Sequence, residues 1–246
     1  MLVRLDPHPR AKESRMSYVV APPAVIAIPV AGGGEFPVRR VICVGRNYEA
    51  HAREMGKDPT REPPFFFTKP ADAIVPDGSA VPYPPETKNL HYEMELVVVI
   101  GKDGFEIAEG NALDHVYGYA VGIDLTRRDL QFAARDLGRP WDWGKAFDNS
   151  APISAIQPAS KIGHPAKGRI WLSVNGSIKQ DADIADLIWN VKEIVSICSR
   201  SIRLKAGDVI MTGTPAGVGP IVTGDKVEGG VDGVGAIAIT IAPPQG

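Results

Sequence analysis

Glycine and proline punctuate this chain from one end to the other. The 26 glycines and 22 prolines are spread through 246 residues, not gathered into a linker, and they divide the apolar sequence into many short runs. Glycine supplies positive φ for turns, and proline fixes φ and removes an amide donor, so both residues end regular elements. Short apolar runs bounded by such signals read as strands, and the expected fold is mainly β with a few short helices.

Individual segments fill in that expectation. Residues 22 to 37, PPAVIAIPVAGGGEFP, predict a short strand or two and a glycine turn, and VRRVICVG (38 to 45) predicts another strand. NYEAHAREMG (47 to 56) reads as a short helix, with Asn47 as its cap and Gly56 as its stop. Asp58 to Pro64 reads as loop and FFFTKP as a buried strand, while residues 92 to 101 and 116 to 124 predict two further strands. Thr126 and Asp129 form a capping box ahead of an apolar stripe of Leu130, Ala133, Ala134 and Leu137, with Gly138 as a stop. Asn175-Gly176 between alternating segments predicts a two-residue hairpin. Asn190 and Glu193 make a second capping box before VKEIVSICSR, and DVIMTG, DKVEGG and GAIAITI return the chain to strand and turn.

Charge and cysteine usage exclude whole classes of function. The formal net charge is -2 without a basic block, so counterion-driven binding of nucleic acid has no electrostatic support. Cys43 and Cys198 are the only cysteines, which gives neither a disulfide framework nor a CxxC pair and fits a reducing cytoplasm. No apolar run reaches the ~18 residues of a membrane span. The segment MLVRLDPHPRAKESRM lacks the apolar region of a secretory signal and is expected to be poorly ordered; Met1 and Met16 are both open as translation starts. The expected organisation is an extension over residues 1–18 followed by one catalytic domain over residues 19–246.

The chemistry concentrates in HYEMELVVVIG, residues 91 to 101. In extended chain Glu93 and Glu95 share a side, about 7 Å apart, and Val97 and Val99 continue that side. Two partly buried carboxylates repel, and one tends to protonate unless a cation is shared between them. The competing reading is a strand solvated on that side. Oxygen ligands favour a hard ion, Mg²⁺ or Mn²⁺, over zinc. Asp124, at the end of an apolar strand, is the candidate third ligand, with a cap or turn role as its alternative.

His51 and Glu54 are three residues apart on the expected helix, where a carboxylate can orient an imidazole as general base; a solvated pair is the alternative. Lys145, in the aromatic segment GRPWDWGKAFDNSAP with Trp141, Trp143 and Phe147 nearby, could stabilise an oxyanion or simply cover aromatic surface. TGTPAGVGP (212 to 220) is either a compact turn or a source of backbone amides for an anion. The motifs HExxH, GxSxG, Walker A and GxGxxG before a helix are absent.

Six segments in order, VGRNYEAHAREMG, PPFFFTKPADAIVP, HYEMELVVVIG, GIDLTRRDLQ, RPWDWGKAF and TGTPAGVGP, resemble the fumarylacetoacetate hydrolase family in its short fumarylpyruvate hydrolase and acylpyruvase branch. The likeness runs from about Val38 to Ile241. It implies a mixed β-sandwich roll, usually a homodimer, with Glu93, Glu95 and Asp124 as Mg²⁺ or Mn²⁺ ligands. It further implies His51 and Glu54 as the water-activating dyad on a lid helix and Lys145 near the reacting carbonyl. Arg46, Arg128, Gln131 and Thr214 become substrate contacts by the same likeness. Gly144, where alanine is expected before the lysine, and His91-Tyr92, where two histidines are frequent, are local departures.

The implied reaction is hydrolysis of a C–C bond in a 2,4-diketo acid, with fumarylpyruvate giving fumarate and pyruvate in aromatic-compound degradation as the preferred case. A general acylpyruvate hydrolase is the nearest competitor. Oxaloacetate decarboxylation or isomerisation of a hydroxy-diene dioate could use the same metal site. A metal-stabilised binding module is the non-enzymatic alternative.

Overall fold

Alternation along Met94–Ile100 sets the sheet that carries the site, and all seven of its residues are buried. Leu96, Val98 and Ile100 enter one core while Val97 and Val99 enter a second core on the opposite face, because successive strand side chains point to opposite sides. A strand covered on both faces shows a continuous apolar run, here LVVVI over residues 96–100. Truncating one such side chain, as in Leu96→Ala, costs about 2–5 kcal/mol.

The computed structural model describes residues 18–56 and 62–245. The expected extension over 1–18 lies, apart from Tyr18, outside the described residues, as does most of the expected loop from Asp58 to Pro64; residues 62–64 have no regular structure. In the large sheet the spatial order is Phe65–Lys69, Arg40–Gly45, Asp208–Met211, Met94–Ile100, Val116–Ile123, Ala151–Ile153, Ile74–Pro76. Asp208–Met211 runs parallel to Arg40–Gly45 and antiparallel to Met94–Ile100, so the sheet is mixed. A second sheet orders Ser177–Asp183, Arg169–Val174, Lys226–Val231, Gly235–Ala242 and Ala80–Pro82. The first core joins the two sheets through residues such as Leu96, Val121, Leu172 and Ile239, and Ile194 and Val195 of a helix seal it. This is the strand-rich mixed β-sandwich roll expected.

Five α-helices are present among the described residues: α1 (Glu49–Glu54), α2 (Arg128–Asp136), α3 (Asp142–Lys145), α4 (Ala159–Ile162) and α5 (Val191–Ser201). None is long and apolar enough to cross a membrane. The hairpin at Asn175-Gly176 forms as expected, with φ of 51° and 78°, the positive values that a type I′ turn requires. The α5 capping box also forms: Asn190 Oδ1 accepts the Lys192 and Glu193 amides, and the Glu193 carboxylate accepts the Asn190 amide.

Five local expectations need correction. The strand expected over 92–101 is broken: Leu90–Tyr92 pairs with Gly219–Ile221 and Thr126–Arg127, and Glu93 sits at the break before Met94. The strand Phe65–Lys69 is only half-buried, with Lys69 as its one fully buried residue. Asn47 does not cap α1. Its side chain is taken up by the Trp189 and Thr212 backbone, and α1 starts after Tyr48 without a side-chain cap. The Thr126–Asp129 capping box does not form either, because Thr126 belongs to a strand and Asp129 accepts from Thr87 and Lys88. Leu137 is 64% exposed, and the buried face of α2 carries Arg128 and Gln131 instead of an apolar stripe. A helix that turns polar side chains inward is serving something in the interior.

Candidate active site

Strand register assembles the three carboxylates. Glu95 pairs with Gly122 and Met94 with Ile123, which places Asp124 opposite Glu93, and the Asp124 amide donates to the Glu93 carbonyl at 2.8 Å. Each of Glu93, Glu95 and Asp124 offers an oxygen within 4.8 Å of the others, and all three are buried. The break before Met94 does not separate the glutamates; it turns Glu93 into the same space as Glu95.

Among the described residues three buried cations face this triad, and they are shared unevenly. Lys145 Nζ donates to Glu93 Oε2 at 2.8 Å, Asp124 Oδ2 at 2.7 Å and Thr126 Oγ1 at 2.7 Å, which engages all three of its protons. Burial alone would push the Lys145 ammonium down, but Asp124 and Glu93 outweigh that and hold it above the ordinary lysine value. Arg128 donates to Glu93 Oε1 and, at 2.6 Å, to Gln131 Oε1. Burial pushes Glu93 up, and Lys145 and Arg128 more than reverse it, so its carboxyl lies well below the usual range.

Glu95 is different. Among the described residues its one polar partner is the Gly213 amide, which donates at 2.6 Å, and no cation pairs with it. Burial, then Asp124 and Glu93, push its carboxyl well above the usual value. Asp124 Oδ1 lies 2.9 Å from Lys69 Nζ yet accepts no aligned hydrogen bond. A buried carboxylate without a cation, a second with an open oxygen and a third beside them fit a hard divalent ion with oxygen ligands.

His51 faces the same cavity from α1. Its Nδ1 is 3.0 Å from Glu54 Oε2, and Glu54 Oε1 accepts the Gly217 amide at 3.0 Å. Burial pushes Glu54 up, but the bonds from His51 and Gly217 win and hold it below the ordinary glutamate value. TGTPAGVGP therefore offers amides to the protein's own carboxylates, Gly213 to Glu95 and Gly217 to Glu54. Glycine is required at Gly213: φ is +97°, and a Cβ there would lie 2.8 Å from Asn47 Cβ.

His51, Glu93, Glu95 and Lys145 line one small cavity together with Arg46, Arg128, Gln131 and Thr214. Asp124 meets it through the triad and Glu54 through His51, so the structure brings all ten expected residues to one place. Trp143 is not part of it, being 80% exposed; the aromatic ring near the Lys145 ammonium is Phe67, at 5.1 Å.

Sequence reasoning missed three supports. Lys69 donates to the Leu125 and Lys145 carbonyls as well as meeting Asp124. Thr126 links Lys145 to the Asp124 carbonyl. Gln180, fully buried, accepts the Met94 amide and donates to Thr214 Oγ1. A lysine ending an aromatic strand and a glutamine on the inward phase of SIKQDAD were the available signals.

The Fumarylacetoacetate (FAA) hydrolase C-terminal family model matches residues 40–242. A fumarylpyruvate hydrolase of Ralstonia sp is 48% identical over 188 residues, covering 76% of this chain and 97% of the relative. The mitochondrial oxaloacetate tautomerase of Homo sapiens is 41% identical over 207 residues, covering 84% and 93%. The crystal structure of fumarylpyruvate hydrolase from Pseudomonas aeruginosa in complex with Mn²⁺ and pyruvate has a TM-score of 0.91 and 52% identity, covering 92% of this chain and all of that one. The chain belongs to the fumarylacetoacetate hydrolase family.

Proposed function

We propose that this chain hydrolyses a C–C bond of a 2,4-diketo acid, with fumarylpyruvate as its substrate and fumarate and pyruvate as products. One observation carries the reading: a histidine oriented by a carboxylate opens into the same cavity as the acidic triad. A metal-stabilised binding module has no use for that pair. The fumarylpyruvate hydrolases among its relatives support the choice of substrate.

Glu93, Glu95 and Asp124 would hold Mg²⁺ or Mn²⁺, which supplies Lewis-acid polarisation of the substrate's keto-acid oxygens when bound. His51, its Nδ1 held by Glu54, takes the proton of a water at Nε2. The resulting hydroxide adds to the distal carbonyl. The C–C bond then breaks, releasing one carboxylic acid and the enolate of pyruvate, which takes a proton at carbon. Lys145 stabilises the oxyanion; its three protons are engaged with Glu93, Asp124 and Thr126, so this role requires it to exchange one of those bonds. Gln131 and Thr214 position the substrate, and Arg128 also holds Glu93. A homodimer belongs to this reading and is checked by sedimentation.

A second reading, keto–enol tautomerisation of oxaloacetate, is favoured by the 41% identity to the human tautomerase. Proton transfer alone releases no pyruvate. Purified protein with Mn²⁺ is therefore expected to consume fumarylpyruvate and release stoichiometric pyruvate. Turnover of oxaloacetate enol with no pyruvate from any diketo acid would overturn the hydrolase reading.

A further inference from the structure

The wall of the site continues past Gln131 into a second small space lined by Arg46, Met55, Gln131, Phe132, Arg135 and Trp141. Four of these residues, Arg46, Met55, Gln131 and Trp141, also line the cavity that holds the triad. The two spaces are thus neighbours along one wall, one floored by carboxylates and the other bordered by two guanidinium groups.

The cations differ in what they are already doing. Arg128 is committed to Glu93 and Gln131. Arg46 pairs with no carboxylate among the described residues; its guanidinium lies over the Phe65 ring at 5.1 Å. Its backbone sits at φ +55°, a conformation that costs a non-glycine residue energy and tends to persist where a side chain must be aimed. Arg135 stacks on Phe132 at 4.3 Å, and its one carboxylate partner among the described residues, Asp136, is 64% exposed. Such a surface pair is weak and exchanges readily for a better-placed anion. Phe132 and Trp141 add flat apolar walls to the same space.

We infer that Arg46 and Arg135 form the subsite for the distal carboxylate of the substrate. They make the enzyme selective for a flat dicarboxylic diketo acid over acylpyruvates that end in an uncharged group. This rests on the hydrolase reading of the same site, adds Arg135, and assigns to Arg46 a specific partner. A planar guanidinium matches a carboxylate with two parallel donors, and the aromatic walls suit a conjugated C4 acid end.

The test compares fumarylpyruvate with acetylpyruvate in the wild type, Arg46→Met, Arg46→Lys and Arg135→Met. The ratio of kcat/KM values, fumarylpyruvate over acetylpyruvate, should fall by about 10- to 100-fold in Arg46→Met and by less in Arg135→Met. Arg46→Lys, which keeps the charge, should retain more of the ratio than Arg46→Met; a merely structural role would depress both substrates together. The same proteins are titrated calorimetrically, with Mn²⁺ present, against fumarate and against crotonate, which lacks one carboxylate. Wild type should prefer fumarate, and Arg46→Met should erase the preference. If wild type hydrolyses neither diketo acid, the hydrolase reading fails, and the fumarate–crotonate comparison still decides the subsite. An unchanged substrate ratio in both methionine variants, or equal binding of the two acids by wild type, overturns it.

Discussion

Lys69 Nζ lies 2.9 Å from Asp124 Oδ1, and both side chains are buried. The same ammonium reaches the carbonyls of Leu125 and Lys145, so one charge ties a strand end, a triad carboxylate and the backbone of the site lysine together. Removing one member of a buried pair costs about 3–5 kcal/mol, and the low end applies here because Lys145 still pairs with Asp124 Oδ2. Lys69→Met should therefore destabilise the ion-free protein by about 3 kcal/mol. It also leaves the triad with one less positive neighbour, so added Mn²⁺ should raise the Tm of the variant more than that of the wild type. Thermal unfolding with and without Mn²⁺ checks this, and equal increments in the two proteins would refute the charge argument.

Gly144 lets α3 sit directly on α2. A Cβ at this position would lie 2.8 Å from the Gln131 amide nitrogen and 2.9 Å from its Cα, contacts that backbone cannot absorb without moving. Gly144→Ala should separate the two helices and cost about 1–3 kcal/mol, the usual range for overpacking. The departure of this sequence from an expected alanine thus has a local cause. Denaturant unfolding gives the number, and an unchanged midpoint would mean that α3 is free to shift.

Glu54 accepts from two sides, His51 at Oε2 and the Gly217 amide at Oε1. Glu54→Gln keeps an acceptor for the amide but removes the charge behind the imidazole, and kcat should fall by about 10- to 100-fold. The pH dependence has a definite sign. Burial raises the Glu54 carboxyl, but the bonds from His51 and Gly217 lower it by more, so its folded value is depressed. Its stabilising effect is present above the ordinary glutamate range and is lost as pH falls through the depressed value. The stability difference between wild type and Glu54→Gln should therefore shrink below roughly pH 4. A difference that stays constant into that range would place Glu54 outside the linkage.

Much of this is legible in the sequence, and the divisions are physical. Asn175-Gly176 and Asn190 are legible because their signals are local: a turn needs positive φ, and a cap needs an acceptor next to its own amides. Glu93 and Glu95 were legible because carboxylates in an apolar strand are costly wherever the strand goes. Thr126 and Asp129 had the right spacing for a capping box, yet their oxygens went to Lys145 and Thr87, partners distant in sequence. Lys69 and Gln180 stayed hidden for the same reason, since each acts on residues 76 and 86 positions away. The polar burial of α2 reversed the stripe expected for it because the interior there is a charged site.

Asn47 and Asn190 share a sequence signature and part company in the fold, which gives a direct comparison. Asn190 caps α5 by accepting two amides at a solvent-exposed helix end. Replacing it with alanine should cost about 1 kcal/mol, because water takes over the freed donors. Asn47 is fully buried; its amide donates to the Trp189 and Thr212 carbonyls and its oxygen accepts the Trp189 amide. Alanine there strips partners from three backbone groups where solvent does not readily replace them, so the cost should be larger, about 3 kcal/mol. The two loops it joins flank α1, which carries His51, so Asn47→Ala should also lower kcat while Asn190→Ala does not. Urea titration of both variants, with kcat measured alongside, separates the roles; equal losses of stability would return Asn47 to the status of an ordinary cap.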